Sequence, residues 1–221
     1  MTLDLFADQS TVSRCGDVED WAESVGLLRL IGLDEAGRGP LAGPVVCGAA
    51  ILPRPCPIDG LDDSKRLSPR RRESLFERIT DIAIAWAVVT ISPTEIDASN
   101  ILAASLEGMK RAWAEIISRH PDLRASLVLV DGNQRVPLPS DIDQRPLVKG
   151  DSRSQNIAAA SILAKVTRDR QMLELHRKWP MYGFDRHKGY PTAAHRQAII
   201  EHGPCPAHRR SFRPPGQEST G

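Results

Sequence analysis

Four acidic side chains stand where apolar segments end or where a helical segment is about to begin. Asp34 and Glu35 follow Ile31-Gly32-Leu33, and Gly37-Arg38-Gly39-Pro40 comes just after them. Asp131 closes the run Leu127-Val128-Leu129-Val130 and precedes Gly132. Asp151 sits in Val148-Lys149-Gly150-Asp151-Ser152, ahead of a long helical segment. Ligand sites of open α/β sheets lie just outside the carboxyl ends of the strands, so acids delivered there can meet. Such a cluster suits hard divalent ions such as Mg²⁺, which take oxygen ligands. A pair of ions about 3.5–4 Å apart can hold a scissile phosphate, activate a water and stabilise the departing oxygen. Each acid also has a plainer reading. Asp131 before a glycine is an ordinary turn residue, and Asp151 an ordinary helix cap. Asp34-Glu35 is harder to reduce, because an acid ending a buried strand is costly unless it is used. Neighbours within a strand point to opposite faces, so the pair shares a site only if the strand ends there. Gly37 and Gly39 are expected to turn the chain at once.

Other residues could complete such a site. A Gly37-Arg38-Gly39 turn exposes backbone N–H and C=O groups with no side chain to block close approach; the alternative is a tight turn and nothing more. Tyr190, in Gly189-Tyr190-Pro191, would have a fixed backbone beneath its ring and suits packing on a sugar or base, or is an ordinary half-buried tyrosine. Lys65, in Asp63-Ser64-Lys65, and Arg38 could neutralise phosphate charge. Lys165 and Asp169 are spaced as a simple helix pair. His187 and His195 could assist, but read more simply as solvated histidines beside a loop.

These residues need elements to hold them. Leu27 to Leu33 and Pro44 to Leu52 read as strands. Ser68-Pro69 starts a helix running towards Ala83, with a capping serine and a proline at its first position. Trp86 to Ile91 is strand-like. Ser92-Pro93-Thr94-Glu95 has the capping-box form, and the helix after it breaks near Asn100 before continuing to about Arg119. Ser126 to Val130 is wholly apolar, as a strand buried on both faces would be. Arg145 to Lys149 forms another short strand, Gln155 to Trp179 a long helix rich in alanine at its start, and Thr192 to His202 a last helix. The order implies an α/β domain with a mixed sheet. Residues 1–25 read as a loose leader with a short helix, 26–213 as one catalytic domain, and 214–221 as a disordered tail.

Composition narrows the function classes. Hydrophobic residues make up 41% of the chain, enough for an ordinary core. The cysteines Cys15, Cys47, Cys56 and Cys205 lack CxxC spacing, which implies neither a zinc site nor a disulfide framework and fits a reducing cytoplasm. The longest uncharged stretch is too short to span a bilayer, and the start lacks a signal pattern. Net charge is only +1, but it is unevenly spread: from Arg145 onwards there are 14 Lys and Arg against 6 Asp and Glu. A basic segment of that kind suits a phosphate backbone, or is chance clustering on a solvated face.

Taken in order, GLDEAGRGPLAGPVV, LDDSKRLSPRRRE, LVLVDGN, VKGDSRSQNIAAASILAKVTRDR, HKGYPTAAH and HRRSF resemble the ribonuclease HII family, from about Leu30 to Phe212. The resemblance implies a ribonuclease H-like fold, with a mixed sheet flanked by helices and a C-terminal helical region that helps hold the duplex. It implies that Asp34, Glu35, Asp131 and Asp151 are the catalytic carboxylates and hold Mg²⁺ or Mn²⁺. It places the reader of the ribose 2′-hydroxyl on Gly37, Arg38 and Gly39, and the junction tyrosine on Tyr190. The implied substrates are RNA–DNA hybrids and single ribonucleotides embedded in duplex DNA. They would be cut on the 5′ side of the ribonucleotide to leave 3′-hydroxyl and 5′-phosphate ends. A cytoplasmic monomer is expected. Ribonuclease HIII and Holliday-junction resolvases share the fold; the expected lack of an extra N-terminal substrate-binding domain argues against the first, and the GRG turn with HKGY against the second. A nucleotide-binding module is opposed by the missing GxxxxGK[ST] loop and by Pro40 and Pro44. Outside the resemblance, Leu3-Asp4-Leu5-Phe6 has the form of a short motif for docking on a sliding clamp; its alternative is packing on this domain.

Overall fold

The computed structural model describes residues 14–123 and 125–212. The segment Leu3–Phe6 and the tail 214–221 lie outside the described residues. Five strands form one sheet in the order β3-β2-β1-β4-β5. These are β1 (Leu30–Ala36), β2 (Val45–Ile51), β3 (Ala85–Ile91), β4 (Leu127–Asp131) and β5 (Gln144–Leu147). The first three pair antiparallel, while β4 and β5 join β1 in parallel, so the sheet is mixed as expected. Between β2 and β3 lies α2 (Pro69–Ile82); after β3 come α3 (Pro93–Asp97) and α4 (Ile101–Arg119). The long α5 (Gln155–Lys178) follows a 3₁₀ turn at Gly150–Ser152, and α6 (Phe184–His187) and α7 (Ala193–His202) are the last helices among the described residues.

Local chemistry sets the helix ends. Ser68 Oγ accepts from the Arg71 N–H, with Pro69 at the first helical position. Ser92 and Glu95 form the full capping box. Asn100 caps α4, which is the expected break, and Thr192 caps α7.

The sheet is covered on both faces. Ile31, Leu33, Val128 and Val130 join α4 residues such as Met109, Ala112 and Ile116 on one side. On the other, Ala158, Ala159, Ile162 and Leu163 of α5 pack with Ala50, Leu75 and Ile79. α5 lies unusually close to the sheet. A Cβ on Gly32 would fall 2.2 Å from the Asn156 carbonyl carbon, and one on Gly48 would fall 2.2 Å from the Ala160 carbonyl oxygen. The start of α5 is also pinned by a buried acid. Glu19 Oε1 accepts from Ser154 Oγ at 2.5 Å, Asn156 Nδ2 at 2.9 Å and Asn156 N at 3.1 Å. Asn156 Oδ1 in turn accepts from Leu52 N at 2.8 Å.

Two sequence expectations change here. The short helix expected in the N-terminal segment is α1 (Asp17–Ser24), but it is not loose: it packs Val18 and Ala22 at 0% exposure beside Leu129 and Ile157. Glu19 on the same helix turns it into a cap for α5. The first strand also begins later and runs further than expected, through Ala36, with Asp34 paired to Gly48 and Glu35 to Cys47. The turn at Gly37 therefore follows the acids and does not separate them.

Gly48→Ala tests the close approach of α5. The added methyl meets backbone, which cannot rotate away, so the variant should lose about 2–3 kcal/mol or more of unfolding free energy. Denaturant melts of wild type and variant check this; equal midpoints would mean that α5 is free to shift.

Candidate active site

The acids come from three elements, Asp34 and Glu35 from β1, Asp131 from β4 and Asp151 from the 3₁₀ turn. Asp34 is 5% exposed and its Oδ1 accepts from the Glu35 N–H at 2.7 Å. Its carboxylate also bonds the Ser161 side chain of α5, and Ser161 Oγ lies 2.9 Å from Ser64 Oγ. This joins the Asp63-Ser64-Lys65 loop to the helix and to Asp34. Asp131 ends β4, and its Oδ1 accepts from Gly150 N at 2.7 Å. That bond ties β4 to the 3₁₀ turn carrying Asp151, which is buried. The strand does not end at the pair as the sequence reading required, so Glu35 leaves by the face opposite Asp34 and pairs with Arg38 Nη1 at 3.4 Å; its charge still reaches Asp34.

The electrostatics show that these groups share one field. Burial raises the Asp34 carboxyl well above the usual range, and the charges of Asp131 and Glu35 add to it. Glu35 is pushed up to about 7, chiefly by burial and against the pull of Arg38. Asp151 also rises to about 7, through burial and then the charges of Asp131 and Asp63. Burial raises Asp131 too, although N–H bonds from Gly150 and Asp151 work against the rise. Lys65 is exposed; burial of its stem would lower it, but Asp63, Asp34, Asp151 and Asp131 together hold it raised. Asp63 was not singled out from the sequence, yet it hydrogen-bonds Asp151. The signal was its place beside Ser64 and Lys65.

The donor set is all oxygen and carries more negative charge than the fold neutralises, which is the chemistry a hard divalent cation requires. Among the described residues, no three acidic, histidine or cysteine side chains draw together tightly enough to enclose an ion by themselves. Mg²⁺ needs no such cage, since it usually keeps several waters and takes one or two carboxylates.

Beside the acids lies the Gly37-Arg38-Gly39 turn. Gly37 has φ +102°, and a Cβ there would sit 2.0 Å from Arg168 Nε. A Cβ on Gly39 would lie 3.5 Å from Tyr190 Cε1, so the ring stands against the turn. Tyr190 is 44% exposed. Lys165 and Asp169 form the expected helix pair at 2.7 Å.

The histidines depart from the sequence reading. His195 is not solvated: it is 0% exposed, stacks on His187 and lies 3.1 Å from His208 through the two Nε2 atoms. Its Nδ1 is 2.9 Å from the Tyr190 carbonyl, so Nδ1 donates there, and Nε2 is left to accept from His208. Burial lowers His195 to about 4, which keeps the ring neutral in this role. The carbonyl of Tyr190 is thus held by a buried imidazole that the sequence did not reveal.

The raised carboxylates fix the sign of a pH effect. Their folded pKa values exceed the unfolded ones, so the folded state binds more protons between the two values. Stability from this source falls as pH rises through that interval, from about 4 to about 7. His195 works in the opposite sense below its ordinary value, so the comparison is made against a variant. In chelator, Asp34→Asn should gain melting temperature relative to wild type as pH rises from about 5 to about 8. Added Mg²⁺ should stabilise wild type more than the variant. A difference between the two proteins that does not change with pH would break the shared-field reading.

The chain is similar to known proteins over most of its length. The family profile of ribonuclease HII matches residues 31–214. The ribonuclease HII of Dechloromonas aromatica (strain RCB) is 54% identical over 183 residues, 83% of this chain and 90% of the relative. Among solved structures, ribonuclease H2 from Pyrococcus horikoshii OT3 superposes with a TM-score of 0.69 at 29% identity, covering 83% of this chain and 93% of that one. The ribonuclease HII of Archaeoglobus fulgidus, solved as a complex with PCNA, gives a TM-score of 0.65 at 28% identity, covering 87% and 98%. With the mixed sheet and the carboxylates at its strand ends, these matches establish that the chain belongs to the ribonuclease HII family, metal-dependent endonucleases that hydrolyse RNA in RNA–DNA hybrids.

Proposed function

We propose that the protein cuts the ribonucleotide-bearing strand of duplexes, including single ribonucleotides embedded in DNA, on the 5′ side of the ribose, leaving 3′-hydroxyl and 5′-phosphate ends. The observation that carries this is the contact of the Gly37-Arg38-Gly39 turn with the Tyr190 ring beside the acidic cluster. Ribose and deoxyribose differ by one hydroxyl that both donates and accepts. A glycine turn offers it backbone groups at close range, while Tyr190 has an exposed face for the sugar at the junction. Asp34, Glu35, Asp131 and Asp151 would hold Mg²⁺ or Mn²⁺. Bound there, the cation would polarise the phosphate and supply a water of lowered pKa. Ser161 orients Asp34, and the Gly150 N–H orients Asp131. Lys65 and Arg38 stand exposed at the rim, where they meet phosphate oxygens and fix register without reading sequence.

The test uses end-labelled duplex DNA with one central ribonucleotide, and its 2′-deoxy and 2′-O-methyl counterparts. Only the ribonucleotide duplex should be cut, and only with Mg²⁺ or Mn²⁺ present. Asp34→Asn and Asp131→Asn should each lower the rate by at least about 10²-fold, the scale of losing a group that stabilises the transition state, while remaining folded. Tyr190→Ala should lower the rate more than the affinity. Cutting of the all-deoxy duplex would sink the assignment, and near wild-type rates in both Asn variants would remove those acids from the site.

The complex of the Archaeoglobus fulgidus relative with PCNA favours a partner as well. On this reading Leu3-Asp4-Leu5-Phe6 anchors the protein on a sliding clamp through Leu5 and Phe6, which suit a preformed apolar groove. A peptide of residues 1–10 should bind purified bacterial clamp, and the Leu5→Ala, Phe6→Ala peptide should not. Equal binding by both peptides would end the idea.

A further inference from the structure

Two arginines beneath the Gly37-Arg38-Gly39 turn are used by nothing described so far. Arg168 is 1% exposed and Arg209 is 2% exposed. Neither makes an ion pair among the described residues; both spend their donors on backbone carbonyls. Arg209 Nη2 donates to Gly37 O at 2.5 Å and Nη1 to Arg38 O at 2.9 Å. Its Nε donates to Gly43 O at 2.9 Å. Arg168 Nε donates to Pro44 O at 2.9 Å and Nη2 to Lys188 O at 3.0 Å. Arg209 Nη2 also reaches Pro44 O at 3.2 Å, so the two guanidiniums share an acceptor. Like charges in contact without an acid are expensive, and burial with mutual repulsion lowers Arg209 to about 9. A pair of apolar side chains would fill the space at less cost.

What the arrangement achieves follows from peptide geometry. In a trans peptide the C=O of one residue and the N–H of the next point in opposite directions. Drawing the Gly37 and Arg38 carbonyls inward therefore turns the Arg38 and Gly39 N–H groups outward. Both residues are exposed, and neither N–H is taken by a backbone carbonyl among the described residues. Arg168 meanwhile fixes the segment leading to Tyr190 through Lys188, which is held at φ +49°.

We propose that Arg209, with Arg168 beside it, is a positioning residue for ribose recognition: it presents the Arg38 and Gly39 N–H groups to the 2′-hydroxyl. This rests on the reading of Gly37-Arg38-Gly39 as the ribose reader. Lysine keeps the charge but cannot serve three carbonyls from one rigid fork. The lysine variant is therefore expected to fail in the same direction as a neutral one.

The experiment measures affinity in chelator, where nothing is cut, for two duplexes that differ by one 2′-hydroxyl. Wild type should prefer the ribonucleotide duplex. Folded Arg209→Lys and Arg209→Gln should lose that preference, by about tenfold if one charge-oriented hydrogen bond is lost. Their affinity for the all-DNA duplex should stay within about twofold of wild type, since phosphate contacts carry it. A merely structural role would weaken both duplexes together. Independently of any variant, the amide resonances of Arg38 and Gly39 in ¹⁵N-labelled wild type should shift more with the ribonucleotide duplex than with the all-DNA one. An unchanged preference in the lysine variant, or amide signals that respond equally to both duplexes, overturns the proposal. Absence of any preference in wild type would instead overturn the ribose-reading turn itself.

Discussion

The contact on which the rest depends is that of α5 with β1 and β2, closed to a distance that only glycine allows. Gly32 and Gly48 leave no room for a methyl between strand and helix backbone. Ala158, Ala159 and Ala160 keep the helix face equally bare. Once that distance is fixed, every functional group on α5 is fixed relative to the strands. Ser161 meets Asp34, and Arg168, about two turns or roughly 10 Å further along, meets the turn that follows β1. Glu19 sets where the helix begins, and with it the 3₁₀ turn that carries Asp151. One rigid rod thus serves as the ruler between the acidic cluster and the Gly37-Arg38-Gly39 turn, a kind of distance that catalysis must hold to a fraction of an ångström.

The charges follow the same ruler. Acids crowd one part of the site at a cost in desolvation and repulsion, while two buried guanidiniums lie under the neighbouring turn. Both groups are unfavourable by themselves. The acids are raised well above their ordinary range, and Arg168 and Arg209 are depressed to about 10 and about 9. A phosphodiester with its metal counterions would answer the first imbalance, since cations relieve the acids; the backbone carbonyls of 37–44 answer the second. The free protein is therefore charged in advance for what it binds, as preorganised electrostatic sites are.

Much of this was legible from the sequence, and the reasons are local. Ser68-Pro69, Ser92 with Glu95, Asn100 and Thr192 announce helix starts because a cap acts within three residues of itself. The apolar run 127–130 announces a buried strand inside the sheet, with Asp131 at its end. What stayed hidden depends on partners far along the chain. His195 looked like a solvated residue beside a loop, yet Phe184, His187 and His208 close over it. Arg168 and Arg209 looked like members of a basic surface. Most of their acceptors lie more than a hundred residues away, in 37–44, and nothing near them in sequence says so. The extension of β1 through Ala36 was hidden for a similar reason, since β2 supplies the ladder that holds Asp34 and Glu35 extended.

The buried arginines also change how the basic C-terminal third is understood. Its excess of 14 cations over 6 acids suggests a phosphate-binding face. Arg153, Arg168 and Arg209 are buried, however, and cannot reach a phosphate backbone across solvent. Part of the excess thus shapes backbone, and only the remainder is available for duplex contact. Non-specific attraction scales with exposed cations and is screened by salt. Orientation of peptide groups by a buried guanidinium is local and little screened. The same residue type thus does two jobs in this segment. On the proposed reading, exposed lysines and arginines would set how strongly a duplex is held, and buried arginines what the site can distinguish once it is there.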